Sequence, residues 1–366
     1  MNIVMVSGHA CIRVQKQALP LLDKGHRVHL IANKLPSYIE YYHSFGRYED
    51  LKQLIESVRI YSKTADIFHA HNEPSWFVTI IKENTDVPVV LDVHDSYLAR
   101  ITPKEEQDAI DNGKKAIRVT TEERNNFQLA DALVFPSESF GELICSEFGL
   151  KQPKIILPSY LPRSLYRYDC REWIGGLVYE GRVDLDKEIA ASPLRGGFKY
   201  CDYLEFAQQC HEAGVNFHLY TIRTDKEFLA AYDDISFVHE PVAFDKLVRN
   251  LTRHDWGLVG NIHKTAEWDV AFPNKLFEYI AACLPVVCIN AIECSKFVDQ
   301  YGIGITVKSI EELKQRWSEH EECRARLIKL RQEFTMEKHI HKLEELYGIV
   351  VSQPMSSSDL QYPCPN

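Results

Sequence analysis

Short apolar runs alternate with helical periodicities in the first part of the chain. Residues 2–6 and 28–31 are apolar, and the stretch between them has apolar residues at helical spacing as far as Lys24. Gly25 closes this helical pattern, as a C-terminal glycine commonly does. The arrangement predicts a β–α–β unit. Residues 66–70 and 87–93 predict further buried strands, so this part of the chain predicts a sheet flanked by helices.

The second part of the chain repeats the pattern. Apolar runs at residues 176–179, 216–220, 235–239, 256–259 and 286–289 alternate with helical stretches. Strands and helices that alternate through short links form parallel, right-handed β–α–β units. The predicted fold class is therefore α/β, with two Rossmann-like domains whose parallel sheets face a cleft between them.

Domain boundaries are predicted where the composition changes. An N-terminal Rossmann-like domain covers residues 1–160, close to a proline-containing link, and a C-terminal Rossmann-like domain covers residues 161–330. Residues 331–350 predict a helix that returns toward the first domain. Residues 351–366 are rich in serine and proline, which predicts a disordered tail.

The stretch EWDVAFPNKLFEYIAACLPVV, residues 267–287, predicts a helix that begins near Phe272. Pro273 suits the first helical position because its φ is already helical and it has no N–H group to leave unpaired. Lys275 and Glu278 share one side of the first turns, where free N–H groups favour an anion. They could bind a diphosphate and a ribose, or they could form an ordinary exposed ion pair. The residues expected to pack inward are Leu276, Phe277, Ile280 and Ala281.

Polar residues follow three of the predicted strands in the first part of the chain. In open α/β sheets the ligand cleft lies beyond the carboxyl ends of the strands, so these residues are candidate ligand contacts. The first loop lacks a full G-x-G-x-x-G motif, which argues against an NAD site. The residues in question are Ser7, Gly8, His71, Asn72, His94 and Asp95.

Two further patterns raise the question of a metal site. His69 and His71 alternate along a strand, but no acidic or cysteine ligand follows at a recognisable spacing, and we interpret them as structural residues. Asp184 and Asp186 have the D-x-D form of a metal-diphosphate clamp. With 52 acidic residues in the chain this form arises by chance, and we expect a solvated loop. No metal site is predicted.

Composition narrows the class of protein. The chain has 366 residues, 45% hydrophobic and 26% charged, as expected for a globular protein with two cores. A formal net charge of −10 argues against a broad nucleic-acid-binding surface. The ten cysteines form no C-x-x-C pair, which is typical of reduced cytosolic thiols. The sequence shows no signal peptide or spanning segment, so we expect a cytoplasmic protein with at most peripheral membrane contact.

Four stretches resemble the GT-B glycosyltransferases, most closely glycosyltransferase family 4. The helix FPNKLFEYIAACLPVV is the most specific of them, and three others occur in the family's order: IRVQKQALPLLDKGHRV, VVLDVHDSY and VYEGRVDLDKE. The resemblance covers nearly the whole chain except the tail. It implies a GT-B architecture in which the N-terminal domain holds the acceptor and the C-terminal domain holds a nucleotide-diphosphate sugar.

The resemblance also implies roles for individual residues. Glu278 would bind the ribose hydroxyls, while Arg182 and Lys275 would hold the diphosphate. His94 would contact the sugar and the departing phosphate, so His94, Arg182 and Lys275 are the expected catalytic residues. The expected donor contacts are Ser7, Gly8, Arg182, Lys187, Asn274, Lys275 and Glu278, and the acceptor-side candidates are Arg13, His71, Asn72 and Asp95.

The family retains the anomeric configuration, usually without a metal and without an obvious enzyme nucleophile, so no cofactor is expected. The predicted function is a retaining glycosyltransferase acting on an unidentified glycan, lipid-linked or other acceptor. Many relatives place a second glutamate eight residues before Glu278, where this chain has Val270, so the contacts to the sugar hydroxyls stay unassigned. Cys283 stands where relatives often have glycine, which predicts a differently shaped helix end.

Two alternatives remain open on the same architecture. A sugar-nucleotide epimerase would need acid–base carboxylates at the sugar, which the sequence does not place. An inactive subunit that only binds a nucleotide sugar would be consistent with Val270. Against it stand the four expected site residues His94, Arg182, Lys275 and Glu278, all of which are present.

Overall fold

Two β-sheets organise the computed structural model, which describes residues 1–8, 11–34, 42–72, 74–99, 107, 111, 119–167, 172–185 and 201–352. In the first sheet all strand pairs are parallel, and the strands lie in the order β3-β2-β1-β4-β5-β6-β7. The strands are β1 (Asn2–Ser7), β2 (Arg27–Ala32), β3 (Ser44–Arg47), β4 (Ile67–His71), β5 (Val89–Asp92), β6 (Ala132–Phe135) and β7 (Lys154–Ile156).

Helices connect and flank the strands of this sheet. Apart from the link between β2 and β3, most of which lies outside the described residues, the connections between the strands run through helices, because a parallel pair needs a crossover. The helices are α1 (Ile12–Asp23), α2 (Leu51–Tyr61), α3 (Phe77–Asn84), α4 (Val119–Leu129) and α5 (Glu138–Phe148). Short 3₁₀ turns occur at Tyr97–Ala99 and Arg163–Leu165.

The second sheet has six strands, again with parallel pairs only, in the order β10-β9-β8-β11-β12-β13. The strands are β8 (Leu177–Glu180), β9 (Phe217–Tyr220), β10 (Phe237–His239), β11 (Trp256–Gly260), β12 (Val286–Ile289) and β13 (Gly304–Thr306). The helices that accompany it are α6 (Leu204–Ala213), α7 (Lys226–Tyr232), α8 (Phe244–Leu251), α9 (Ala266–Val270), α10 (Asn274–Ala281), α11 (Ile292–Tyr301) and α12 (Ile310–Gln315).

The end of the chain is helical. After 3₁₀ turns at Trp317–Glu319 and Arg331–Phe334, the remaining helices are α13 (His320–Leu330), α14 (Met336–His339) and α15 (His341–Ser352). Helix α15 packs against the first sheet, where the Tyr347 hydroxyl lies 2.6 Å from Nδ1 of His69. Its first turns also reach the residue before β2, since Glu344 Oε1 lies 2.8 Å from Nε2 of His26. The chain therefore returns to its first half after completing the second sheet.

One hydrophobic core joins the two sheets. Met5 and Leu157 from the first sheet region belong to the same buried cluster as Leu276 from α10 and Tyr347 from α15. Two further clusters each belong to one sheet. The predicted α/β class, with two parallel sheets, is confirmed. The predicted domain limits stay a prediction, although the last helix ends at Ser352, two residues past its expected end, and residues 353–366 lie outside the described part of the chain.

The start of α10 differs slightly from the prediction. Pro273 has φ −74° and ψ 159°, which is extended, so it caps the helix and Asn274 is the first helical residue. The four residues expected to pack inward, Leu276, Phe277, Ile280 and Ala281, are all buried. Cys283 adopts φ +53°, so the helix does end in a left-handed residue although this position is not glycine.

Tyr279 holds α10 against the second sheet. Its hydroxyl donates toward the carbonyl oxygens of Leu258 (3.2 Å) and Val178 (3.4 Å) and accepts from the N–H of Glu180 at 3.3 Å. Its ring lies over Gly257, where an added Cβ would come within 2.6 Å of the ring carbons. The missing side chain at Gly257 thus sets how closely α10 approaches the sheet. Among the described residues, no helix has the length and apolarity needed to cross a membrane.

We predict that Gly257→Ala destabilises the protein by about 1–3 kcal/mol, because the new methyl group must push away a fully buried tyrosine ring. The matched control is Gly348→Ala on α15, where nothing lies within 4 Å of the added Cβ. There the change should stabilise by up to about 1 kcal/mol through helix propensity. Urea unfolding measures both; equal effects of the two changes would contradict this packing argument.

Candidate active site

Glu278 and Lys16 form a buried ion pair between α10 and α1. Lys16 Nζ lies 3.2 Å from Oε1 of Glu278, and their side chains are 0% and 3% exposed. The ammonium also contacts Asn274 Oδ1 at 3.1 Å and Ser159 Oγ at 3.3 Å. Burial lowers the pKa of Lys16, and the carboxylate of Glu278 opposes that change. The expected ribose-binding residue is therefore tied to the first half of the molecule.

Lys16 was not among the residues selected from the sequence. The sequence of α1 does contain an indication of its role. Arg13, Lys16 and Gln17 are spaced by three and four residues, so they share one face of the helix. That face would be apolar if it only packed against a hydrophobic core. All three are buried. A polar face that is buried on a helix needs charged or hydrogen-bonding partners, and such partners come from other elements.

Glu180, at the end of β8, is hydrogen-bonded to Glu278 through one proton between the two carboxyl groups. Burial together with the Glu278 charge raises the pKa of Glu180 well above its usual value. Burial alone would raise the pKa of Glu278 too, but Lys16 and the hydrogen bond from Glu180 hold it below its usual value. We therefore assign the proton to Glu180 and the negative charge to Glu278, which leaves a carboxylate able to accept hydrogen bonds from ligand hydroxyls.

Asp92, at the end of β5, is the hydrogen-bonding centre on the first sheet. Arg13 Nε lies 2.8 Å and 3.0 Å from its two carboxylate oxygens, and His94 Nδ1 lies 3.3 Å from Oδ1. Burial alone would raise the pKa of Asp92, yet Arg13 and His94 hold it well below its usual value. Asp92 is thus a buried anion that orients His94.

His94 also contacts Cys11, the N-cap residue of α1. Burial disfavours its charged form, but the hydrogen bonds to Asp92 and Cys11 raise the pKa of His94 to about 10. Burial likewise would raise the pKa of Cys11, and His94 together with the N–H groups of Val14 and Arg13 lowers it. Each group of the pair therefore stabilises the charged form of the other, through a polar contact that spacing along the chain does not indicate.

Arg182 and Lys275 lie on the donor side expected from the sequence. Arg182 is half-exposed, and its Nε lies 2.7 Å from Oδ2 of Asp184. Lys275 Nζ lies over the ring of Tyr179 at 4.9 Å, and 3.6 Å from where a Cβ on Gly181 would be. Asp184 is buried, and its carboxylate is paired with Arg182. The expectation of a solvated loop is therefore wrong at this residue. Lys187 and Asp186 lie outside the described residues.

Two adjoining cavities bring these residues together. The smaller, of about 340 Å³, is lined from the first sheet by Arg13, His94 and Asp95, and from the second by Glu180, Asn274, Lys275 and Glu278. The larger, of about 520 Å³, continues past Glu180 and Gly181 to Arg182 and Tyr220. Residues from both sheets therefore share one continuous cleft.

The remaining residues predicted as ligand contacts bind other residues of the first sheet and its loops. Asn72 Oδ1 accepts from the N–H of His94 at 3.0 Å, and its amide group donates to the carbonyl of Asp95. His71 is fully buried and stacks on His69 with ring centroids 4.4 Å apart. The Ser7 carbonyl accepts from the Tyr48 hydroxyl at 3.3 Å, and the carbonyl of Gly8 from the N–H of Asn33 at 3.0 Å. The ligand roles of these residues stay predictions.

Val270 makes its described contacts with the first half of the molecule. Its carbonyl accepts from the Ser137 hydroxyl at 3.1 Å, and its side chain packs against the hydrophobic cluster of the first sheet. An aliphatic side chain there closes the two halves against each other. Val270 is therefore a packing residue, and it supplies no hydrogen bond to a sugar from its side chain.

Models of two protein families match two separate segments of the chain. Residues 13–157 match the model of Glycosyltransferase Family 4, and residues 198–330 match the model described as Glucosyltransferase 3-like, C-terminal domain. No curated protein matches the chain by sequence. The two matched segments contain β2 to β7 and β9 to β13, so each falls largely on one of the two sheets.

Solved structures with the same fold cover nearly the whole chain. Sucrose-phosphate synthase from Thermosynechococcus elongatus is 13% identical, with 96% of this chain and 99% of that chain covered and a TM-score of 0.66. HepE from Anabaena, in complex with UDP and glucose, is 11% identical, with 95% and 100% covered and a TM-score of 0.67. TarM is 9% identical, with 94% and 98% covered and a TM-score of 0.63.

The proton on Glu180 predicts that the stability of the protein depends on pH. Because folding raises the pKa of Glu180, the folded state keeps a proton that the unfolded chain releases above about pH 4.3. The stability contributed by this group is complete below that pH and is lost as the pH rises through the folded pKa. We expect that Glu180→Gln, which cannot ionise, does not lose this stability as the pH rises.

Urea unfolding of the wild type and of Glu180→Gln between pH 5 and pH 9 measures the effect. The variant should gain stability relative to the wild type as the pH rises, while Glu56→Gln, on the exposed face of α2, controls for the substitution itself. A constant difference between wild type and Glu180→Gln across this range would show that Glu180 keeps no extra proton.

The contact between Cys11 and His94 predicts a reactive thiol. Among the described cysteines only Cys11 and Cys145 are partly exposed, and the contact with His94 lowers the pKa of Cys11. Since the thiolate is the nucleophile, iodoacetamide should alkylate Cys11 before Cys145 at neutral pH. Peptide mass spectrometry over time measures the order, with Cys11→Ser and Cys145→Ser as the paired variants. Earlier labelling of Cys145 would refute the assignment.

Proposed function

Because the protein is a glycosyltransferase of the GT-B fold, with a family 4 segment followed by a glucosyltransferase 3-like segment, we propose that it transfers a sugar from a nucleotide-diphosphate sugar to an acceptor with retention of configuration. The observation that carries this proposal is the position of Glu278. A buried carboxylate, held by Lys16, lies in the first turns of α10 and lines the same cavity as Lys275 and His94.

The donor is bound by groups of complementary charge. Glu278 accepts hydrogen bonds from the ribose hydroxyls through the carboxylate lone pairs that Lys16 leaves available. The free N–H groups at the start of α10 and the ammonium of Lys275 face the diphosphate. Arg182 adds a planar guanidinium that can hold two phosphate oxygens at once. The nucleobase lies in the larger cavity, past Gly181.

Transfer depends on stabilising the departing phosphate. Lys275 and Arg182 neutralise the charge that develops as the sugar–phosphate bond breaks. His94, held in its charged form by Asp92 and Cys11, donates a hydrogen bond to the sugar or the leaving phosphate from the opposite wall. The donor phosphate takes the acceptor proton on the same face of the sugar, which retains the configuration. No step assigned to these residues uses a metal or another cofactor.

The first donor to test is UDP-glucose. HepE has been solved in complex with UDP-glucose, and the family matched by residues 198–330 is described as glucosyltransferase 3-like. The acceptor binds on the side formed by Arg13 and Asp95, and its class is a glycan or a lipid-linked glycan. The protein works in the cytoplasm, with at most peripheral contact to a membrane.

We predict that Glu278→Gln and Arg182→Ala each weaken donor binding by about tenfold to a hundredfold, the equivalent of one charged hydrogen bond. Arg249→Ala, an exposed arginine on α8, is the matched control and should leave binding unchanged. Binding is measured by thermal shift and calorimetry with a panel of nucleotide sugars, and turnover by release of the nucleoside diphosphate. Circular dichroism verifies that each variant is folded.

The outcomes separate the alternatives. Unchanged donor binding in both variants would contradict the site. Conversion of one nucleotide sugar into another with no acceptor present would indicate an epimerase, and binding without turnover across many acceptors would indicate an inactive binding subunit. Product analysis by NMR decides between retention and inversion. Turnover that is lost in EDTA and restored by magnesium or manganese, but not by zinc, would contradict a reaction that needs no metal on the diphosphate.

A further inference from the structure

Three histidines from separate segments meet at the edge of the second sheet. His218 lies on β9, His239 ends the edge strand β10, and His254 precedes β11. One ligand atom of each histidine lies within 4.8 Å of those of the other two. His218 Nδ1 and His239 Nε2 are 3.0 Å apart, close to the separation of two nitrogen ligands on one metal ion. The cluster is separate from the cleft residues assigned above.

The hydrogen bond made by His254 defines its tautomer. Its Nδ1 lies 2.8 Å from the carbonyl oxygen of Gly175, which can only accept, so Nδ1 carries the proton. The lone pair is then on Nε2, on the side of the ring that faces Tyr220, whose hydroxyl is 3.4 Å away. A histidine that donates one N–H to a backbone carbonyl, and so keeps its lone pair on the other nitrogen, is the usual arrangement of a metal ligand.

The cluster is shielded from water. His254 and His218 are 0% and 3% exposed, and Nε2 of His218 is buried without a hydrogen-bond partner among the described residues. Arg253, which precedes His254 in the chain, is paired with Glu172 at 3.1 Å. A buried imidazole nitrogen that no protein group occupies is available to a metal ion.

We propose that His218, His239 and His254 form a binding site for a divalent transition metal of the zinc class. Three imidazole nitrogens suit zinc, nickel or copper, and the site contains no carboxylate that would favour calcium or magnesium. A water molecule supplies the fourth ligand. The ion joins an edge strand of three residues to its neighbour and to the segment before β11, so its role is structural.

The site has a consequence for the larger cavity, and this consequence rests on the proposed function. The Tyr220 ring stacks on His239 at 4.2 Å with an angle of 5° between the planes. Tyr220 lines the cavity together with Glu240 and Pro241, which follow His239 directly. An ion that holds His239 therefore fixes the wall against which we place the nucleobase, and tightens nucleotide binding without touching the nucleotide.

Zinc titration of the full chain, without a histidine tag and after treatment with EDTA, tests the site. We expect binding of one equivalent by calorimetry and a higher melting temperature. His239→Gln should lower the affinity at least about tenfold, since it removes one ligand from the least buried position of the three. His211→Gln, an exposed histidine on α6, is the matched control and should bind as the wild type does.

Cobalt(II) distinguishes this site from the cysteines. Nitrogen ligands give only weak visible bands, whereas thiolates add intense absorption in the near ultraviolet. Weak bands that disappear in His239→Gln support the proposal. It is overturned if zinc changes neither heat nor melting temperature, if His239→Gln binds like the wild type, or if the cobalt spectrum shows thiolate bands. A protein that binds zinc but no nucleotide would refute the proposed function and leave the metal site standing.

Discussion

The buried ion pair between Lys16 and Glu278 is the interaction on which the arrangement of the cleft depends. It joins α1 of the first sheet to α10 of the second, across 262 positions of the chain. Removing one partner of such a pair leaves an uncompensated buried charge, which costs about 3–5 kcal/mol. The two halves are thus held at the distance that lets residues from both line one cavity. The return of α15 to the first sheet and the packing of Val270 also hold the two halves together.

The parallel topology explains why polar groups collect at this cleft. Val6 pairs with Ala70 and His71 with Asp92, so the carboxyl ends of three neighbouring strands reach one edge of the first sheet. Arg13 and His94 then share Asp92. On the second sheet, β8 ends at Glu180, beside the first turns of α10. Each sheet therefore contributes a buried acidic group, and each is matched by a basic group from a helix or a following loop.

Burial and neighbouring charged groups determine which side chains in the cleft are ionised. Glu180 and Glu278 lie too close to ionise together, and the cations around them decide that Glu278 holds the charge. On the facing wall, Asp92 and Cys11 keep a proton on His94. The cleft thus presents a carboxylate on one side and cationic groups on both sides. This pattern suits a ligand with hydroxyls at one end and phosphates in the middle.

The periodicity of the sequence was sufficient to predict the α/β class, the two sheets and the inward face of α10, while strand ends and the family resemblance predicted some of the polar residues that line the cleft, among them His94, Lys275 and Glu278. These features follow from local patterns, because apolar spacing selects the element and strand ends place polar residues at one edge. The sequence did not identify Lys16 as the partner of Glu278, the proton of Glu180, the contact of Cys11 with His94 or the three-histidine cluster. Each of these depends on which distant residues meet and on how much water they lose, and only the tertiary structure decides both.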